Sequence, residues 1–138
     1  MKQSAKGPKS LRFDWVEAPD IKRRVKALLK SLEMGWVKID RVFFFRSSGS
    51  KSRAYARTWG LPKIWQDALG VAPGYIIEVI SKYFDNLPER EQDKILLHEL
   101  THIPKNFSGA LIPHIRRGKR NFHRQVDSLI EKYFFSKK

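Results

Sequence analysis

Leu97-His98-Glu99-Leu100-Thr101-His102 sets two imidazoles four residues apart, with a carboxylate directly after the first. That spacing is about one α-helical turn, so both rings project from one face and can grip a single ion from the same side. Glu99 lies beside the ion without being forced to bind it, and so can take a proton from a water molecule. The chemistry of such a set is hydrolysis by a metal-activated water. Zn2+ is the expected ion, because it lowers the pKa of a coordinated water to about 7.

The H-E-x-x-H pattern also arises by chance in helices, where the two histidines merely bond to backbone or carboxylates. Context argues against chance here. The pattern lies in a predicted helix, follows a predicted strand, and all four His of the chain fall between residues 98 and 123. A catalytic zinc needs a third protein ligand. The chain has no Cys, which excludes thiolate zinc sites, disulfides and a cysteine nucleophile together. An H-E-x-x-H-x-x-G-x-x-H arrangement would place the ligand at residue 108, which is Ser108, so the metzincin pattern is excluded. His114, beyond the turn-rich stretch Pro104 to Pro113, is favoured. His123 is the alternative, and a carboxylate a lesser one. Amide hydrolysis also needs an oxyanion donor, for which Tyr75, Arg116 and Arg117 are the candidates.

These side chains must be held by regular elements. Pro19 and Asp20 open a predicted helix in which Ile21, Val25, Leu28, Leu29 and Leu32 share one face, with Asp20 as a cap and Gly35 as the stop. Its other face carries Lys22, Arg23, Lys26 and Lys30 and reads as solvated. Val37 to Arg46 is β-branched and aromatic and predicts a strand. Ser47-Ser48-Gly49-Ser50 then predicts a turn into a returning strand at Arg53 to Leu61, making a hairpin. A short helix follows near Lys63 to Leu69, and Tyr75 to Ile80 predicts a third strand, expected at the sheet edge. The motif helix is expected to start with Asp85 or Asn86 as cap and to run to Ile103, where Pro104 stops it. A last helix, Lys119 to Phe135, aligns Phe122, Val126, Leu129 and Tyr133.

At 138 residues, 41% hydrophobic and 12% aromatic, the chain has material for one core, so residues 11–138 are read as a single domain behind a flexible basic arm at 1–10. No apolar run approaches the roughly 20 residues of a membrane span, and Met1 to Ser10 lacks the apolar run of a secretory signal. The expectation is a cytoplasmic protein with no membrane partner. The formal charge of +14 draws polyanions towards it. Arg116, Arg117, Lys119, Arg120 and Arg124 form a basic cluster near the motif in sequence and are the candidate nucleic-acid contacts.

The run from His98 through Pro104 and Gly109 to His114, together with Ala56 to Gln66 and Tyr75 to Ile80, resembles the phage and archaeal metallopeptidase family over most of residues 40–130. The resemblance implies an α+β fold: a minimal zincin-like domain with a short, mainly antiparallel sheet whose edge strand lines the cleft, an H-E-x-x-H helix and a C-terminal helix. It implies a zinc peptidase acting on protein or peptide, with His114 completing the site. It supplies no substrate. A more distant similarity is to SprT-like or Spartan proteases, which act on proteins crosslinked to DNA. The spacing to the third His and the missing cysteine zinc ribbon depart from that pattern. The competing reading is a zinc-stabilised basic module that binds nucleic acid and has little or no peptidase activity.

Overall fold

The computed structural model describes residues 13–113 together with Ser128, Glu131 and Lys132. Chain order is β1 (Asp14–Glu17), α1 (Pro19–Leu32), a 3-10 turn at Ile39–Arg41, β2 (Val42–Ser48), β3 (Ala56–Gly60), α2 (Lys63–Leu69), β4 (Tyr75–Ile80), α3 (Ser81–Phe84) and α4 (Glu89–Leu100). The arm at 1–10 lies outside the described residues, as does most of the last predicted helix, of which Ser128, Glu131 and Lys132 are helical and exposed. No helix among the described residues is long and apolar enough to cross a membrane.

The fold is α+β around one four-stranded mixed sheet of order β1-β2-β4-β3, compatible with a minimal zincin-like domain. β1 pairs antiparallel with β2 and β3 antiparallel with β4, while β2 and β4 run parallel. The expected hairpin between β2 and the returning strand does not form, because β4 lies between them. Composition explains the insertion. Tyr75-Ile76-Ile77-Glu78-Val79-Ile80 is almost continuously apolar and buried on both faces, as an interior strand must be. Ala56-Arg57-Thr58-Trp59-Gly60 is more polar and tolerates an edge. The seven residues from Gly49 to Tyr55 are too long for a tight turn and make local Ser52 N–H to Ser50 Oγ and Ala54 N–H to Ser52 Oγ bonds instead. Thus β3, rather than Tyr75–Ile80, is the edge strand beside α4.

Strand β1 was not signalled by the sequence. It pairs with β2 in the register Asp14 to Ser48 through Glu17 to Phe45. Side chains alternate across the sheet. Val42, Phe44, Ala56, Tyr75, Ile77 and Val79 are buried and share a core with Ile21, Val25, Leu28 and Leu32 of α1 and Leu96, Leu97 and Leu100 of α4. The two long helices therefore cover one face.

Arg24 of α1 joins them. Its guanidinium donates to Asp93 Oδ1 at 2.6 Å, to Gln92 Oε1 at 2.6 Å and to the Glu89 carbonyl at 3.2 Å, all on α4.

The helix caps also differ from expectation. Asp20 is not a cap; it accepts from Arg46 Nη1 at 2.7 Å, and its Oδ2 accepts from Arg46 Nη2 at 2.8 Å. The bond to Arg46 holds its carboxyl below the usual carboxylate range, against a smaller opposing effect of burial. Asp85 accepts from Arg46 Nε instead of capping α4, and Asn86 donates to the Lys82 carbonyl. Pro88 occupies the position before α4, and Glu89 and Glu91 supply negative charge to the first turn.

Candidate metal centre

Among the described residues, His98, Glu99 and His102 are the group of His, Asp and Glu side chains close enough to share an ion, with their ligand-type atoms all within 4.8 Å of one another. The imidazole centroids of His98 and His102 are 5.3 Å apart, with the rings 77° from coplanar. Both histidines are half-buried and Glu99 is buried.

The α-helix ends at Leu100, three residues before the expected stop at Ile103. The residues after it tighten: His102 N–H donates to the Glu99 carbonyl and Ile103 N–H to the Leu100 carbonyl, both i to i−3 bonds. Thr101 Oγ1 donates to the His98 carbonyl at 2.6 Å, competing for an acceptor that the next turn would need. With Pro104 disfavouring helix at Ile103, the last turn closes early. His102 therefore sits on that tightened turn, and its ring still converges with that of His98.

The chain then folds back. Phe107 (φ 47°) and Gly109 (φ 98°) take left-handed backbone conformations, and Ile112 returns to His102. Ile112 N–H donates to the His102 carbonyl at 2.8 Å. The Ile112 carbonyl lies 2.6 Å from His102 Nδ1. A carbonyl can only accept, so Nδ1 carries the proton and the lone pair of the neutral ring is on Nε2. A backbone carbonyl fixing the tautomer is the support that a metal-binding histidine needs.

The returning loop is fastened at several points. Tyr75, buried, donates its hydroxyl to the Ala110 carbonyl at 2.7 Å and accepts from Gly109 N–H at 2.7 Å. Burial raises its pKa, with the Gly109 N–H and Ser108 opposing. As a candidate oxyanion donor Tyr75 is therefore corrected: its hydroxyl is committed to the loop. Gln66 Nε2 donates to both the Leu61 and Ser108 carbonyls at 2.8 Å. A Cβ on Gly60 would stand 2.1 Å from the Gly109 carbonyl oxygen, and one on Gly109 would stand 2.4 Å from the Leu61 oxygen. Only glycine allows this approach of the loop to the end of β3.

On the other side of the motif, Thr58 Oγ1 of β3 lies 2.7 Å from Glu99 Oε1 and 3.2 Å from the Glu99 carbonyl. Sequence reasoning did not single out Thr58, Gln66 or Ile112. Nothing in the local pattern flags them, because each acts through a contact formed only in the folded chain.

His114, His123, Arg116, Arg117, Lys119, Arg120 and Arg124 lie outside the described residues. Among those that are described, α1 carries the exposed cations Lys22, Arg23, Lys26 and Lys30.

A mixed sheet backed by a helix that ends in two converging imidazoles and a buried carboxylate brings together a group that could hold a metal ion. The family model described as Putative phage metallopeptidase matches residues 13–130, and the chain belongs to that family. Membership implies a metal ion and a protein or peptide substrate. Comparisons with curated proteins and with solved structures returned no significant match.

Proposed function

We propose that the chain is a zinc-dependent peptidase in which His98 and His102 hold the metal, His114 completes the site and Glu99 is the general base. The observation that carries this reading is the pairing of His102 with Ile112, which leaves Nε2 of the ring as the metal-binding atom. The donor set fits: two imidazoles with a carboxylate beside them suit zinc and hydrolytic chemistry. When bound, zinc would polarise the scissile carbonyl and make water a nucleophile near neutral pH. Glu99 accepts a proton from the attacking water, whose oxygen bonds to the carbonyl carbon. Glu99 then returns that proton to the amide nitrogen as the C–N bond breaks. Strand β3, at the sheet edge beside α4, is suited to pair an extended substrate through its outward backbone groups.

The route to the third ligand runs through Ile112. His114 follows it by two residues in the sequence. His123 would have to be delivered by a separate element. His114→Ala is expected to weaken zinc binding strongly and His123→Ala mildly, as read by competition titration with a chromogenic chelator. Zinc content near one per chain in the purified protein, lost in the His98→Ala/His102→Ala double variant, tests the site itself. Metal content unchanged in that variant overturns it.

Association with nucleic acid is a second element of the reading, supported by the exposed cations of α1 and the charge of +14. Arg116, Arg117, Lys119, Arg120 and Arg124 add to that charge and are further candidate phosphate contacts. Binding of a labelled single-stranded oligonucleotide is expected at about 50 mM salt and to fall by orders of magnitude near 200 mM. No binding at the lower salt removes nucleic acid from the proposal.

A further inference from the structure

We propose that Thr58 is a positioning residue for the general base, fixing the direction of the Glu99 carboxylate from the edge strand. This inference rests on the peptidase reading. Along β3, Arg57 and Trp59 face Glu78 on the side of the sheet away from the long helices, with bonds of 3.1 and 2.9 Å to Glu78 Oε1. Alternation sends Thr58 to the opposite side, towards α4. There its hydroxyl meets two oxygens of one residue, the Glu99 carboxylate at 2.7 Å and the Glu99 carbonyl at 3.2 Å. A hydroxyl has one proton, and neither oxygen can donate in return while the carboxyl is ionised. The shorter contact, to the charged acceptor, takes the proton.

Glu has three side-chain torsions, and a base that swings cannot hold a water in line for attack. Anchoring Oε1 fixes the plane of the carboxylate and hence the direction of its second oxygen. The same strand is the proposed seat of the substrate. Base and peptide are then referenced to one rigid element, so that their relative placement does not depend on the motif helix alone. A structural role, in which the hydroxyl only satisfies a buried carboxylate, would appear as lost stability with turnover intact. A positioning role appears in kcat.

The experiment compares Thr58→Val, Thr58→Ser and Glu99→Gln with the wild type, using fluorescently labelled casein as the substrate probe. Val preserves shape and strand preference while deleting the donor; Ser restores it. The expected result for Thr58→Val is a kcat lower by roughly 10- to 100-fold, with KM and zinc content unchanged and most of the loss recovered in Thr58→Ser. In metal-free crystals, the Glu99 carboxylate should keep its direction in wild type and Thr58→Ser and turn in Thr58→Val. Wild-type kcat in Thr58→Val beside an inactive Glu99→Gln overturns the positioning role and leaves the peptidase reading standing. A loss that appears in KM or zinc content, or that Ser does not recover, also overturns it, as does an unmoved carboxylate in Thr58→Val. Full turnover in Glu99→Gln instead brings down the peptidase reading. Thr58→Ala, read in the same way, serves if Thr58→Val does not fold.

Discussion

The two ends of α4 bury carboxylates six residues apart and surround them differently. Asp93, near the N-terminal end, is 3% exposed and meets the Arg24 guanidinium at 2.6 Å. Glu99, near the C-terminal end, is 7% exposed and meets a threonine hydroxyl and two histidines. An arginine presents a planar fork of donors, and Arg24 uses it to tie helix to helix. A hydroxyl orients a carboxylate without neutralising it, leaving it able to exchange a proton. The first arrangement suits a scaffold, and under the proposed function the second serves chemistry. The contrast predicts that damage at one end is felt as stability and at the other as turnover.

The largest effect should come from the chemical end. Glu99→Gln is expected to lower turnover by about 10²- to 10⁴-fold, the usual worth of a general base, while zinc content and the urea midpoint stay near wild type. A variant that retains turnover would erase the distinction. At the scaffold end, Arg24→Leu leaves Asp93 buried without its cation, and a loss of about 3 kcal/mol is expected for breaking such a pair. The measurement is urea denaturation, and turnover per folded molecule should be unchanged. A drop in turnover without a drop in stability would reverse the roles.

Between the ends stands the loop that supports His102. Tyr75→Phe removes the hydroxyl that serves Gly109 and Ala110. Zinc affinity should fall about 10-fold, the scale for groups that orient a ligand from behind. An unaltered affinity would show that the loop is held well enough by Gln66 and the glycine contact.

The smallest effect lies away from α4, at Asp20. Its carboxyl is held down in the folded protein by Arg46. The stability this contributes is present above the unfolded carboxylate value, about 4, and is lost as pH falls through the lower folded value. Because Asp20 is half-exposed, Asp20→Asn should cost no more than about 1 kcal/mol at pH 7. That cost should fade as the pH is taken below 4. A cost that persists in acid would place the interaction outside charge pairing.

Much of this arrangement could be read from the residues. The α1 stripe, α2 and the limits of β4 were legible because each carries a periodic or continuous apolar signal over its own length. The motif pair was legible because its spacing is local. Strand pairing was not. The order of β2, β4 and β3 depends on which strand can bear burial on both faces, a competition among segments that no single segment records. The early end of α4 was hidden for a similar reason: Thr101 and Pro104 act together, and the pattern of His98 and His102 is indifferent to the result. Tyr75 read as a possible donor at the site because its type allowed it, whereas the partners that occupy its hydroxyl lie 34 and 35 residues away.

Trp59 gives the edge strand an optical signal of its own. The indole N–H donates to Glu78, the Arg57 guanidinium stands 5.2 Å from the ring centroid, and the side chain is 45% exposed. Burial pushes the Glu78 carboxyl up, but Ser47, Trp59 and Arg57 together hold it below the usual range, Ser47 without a fully formed hydrogen bond among the described residues. The indole therefore sits beside the Arg57–Glu78 pair, and a peptide laid along β3 as proposed is expected to change its exposure to water while that pair stays. With Trp15, Trp36 and Trp65 replaced by Phe, the emission of Trp59 becomes a titratable readout of strand occupancy, usable on the metal-free protein and independent of whether any bond is cut.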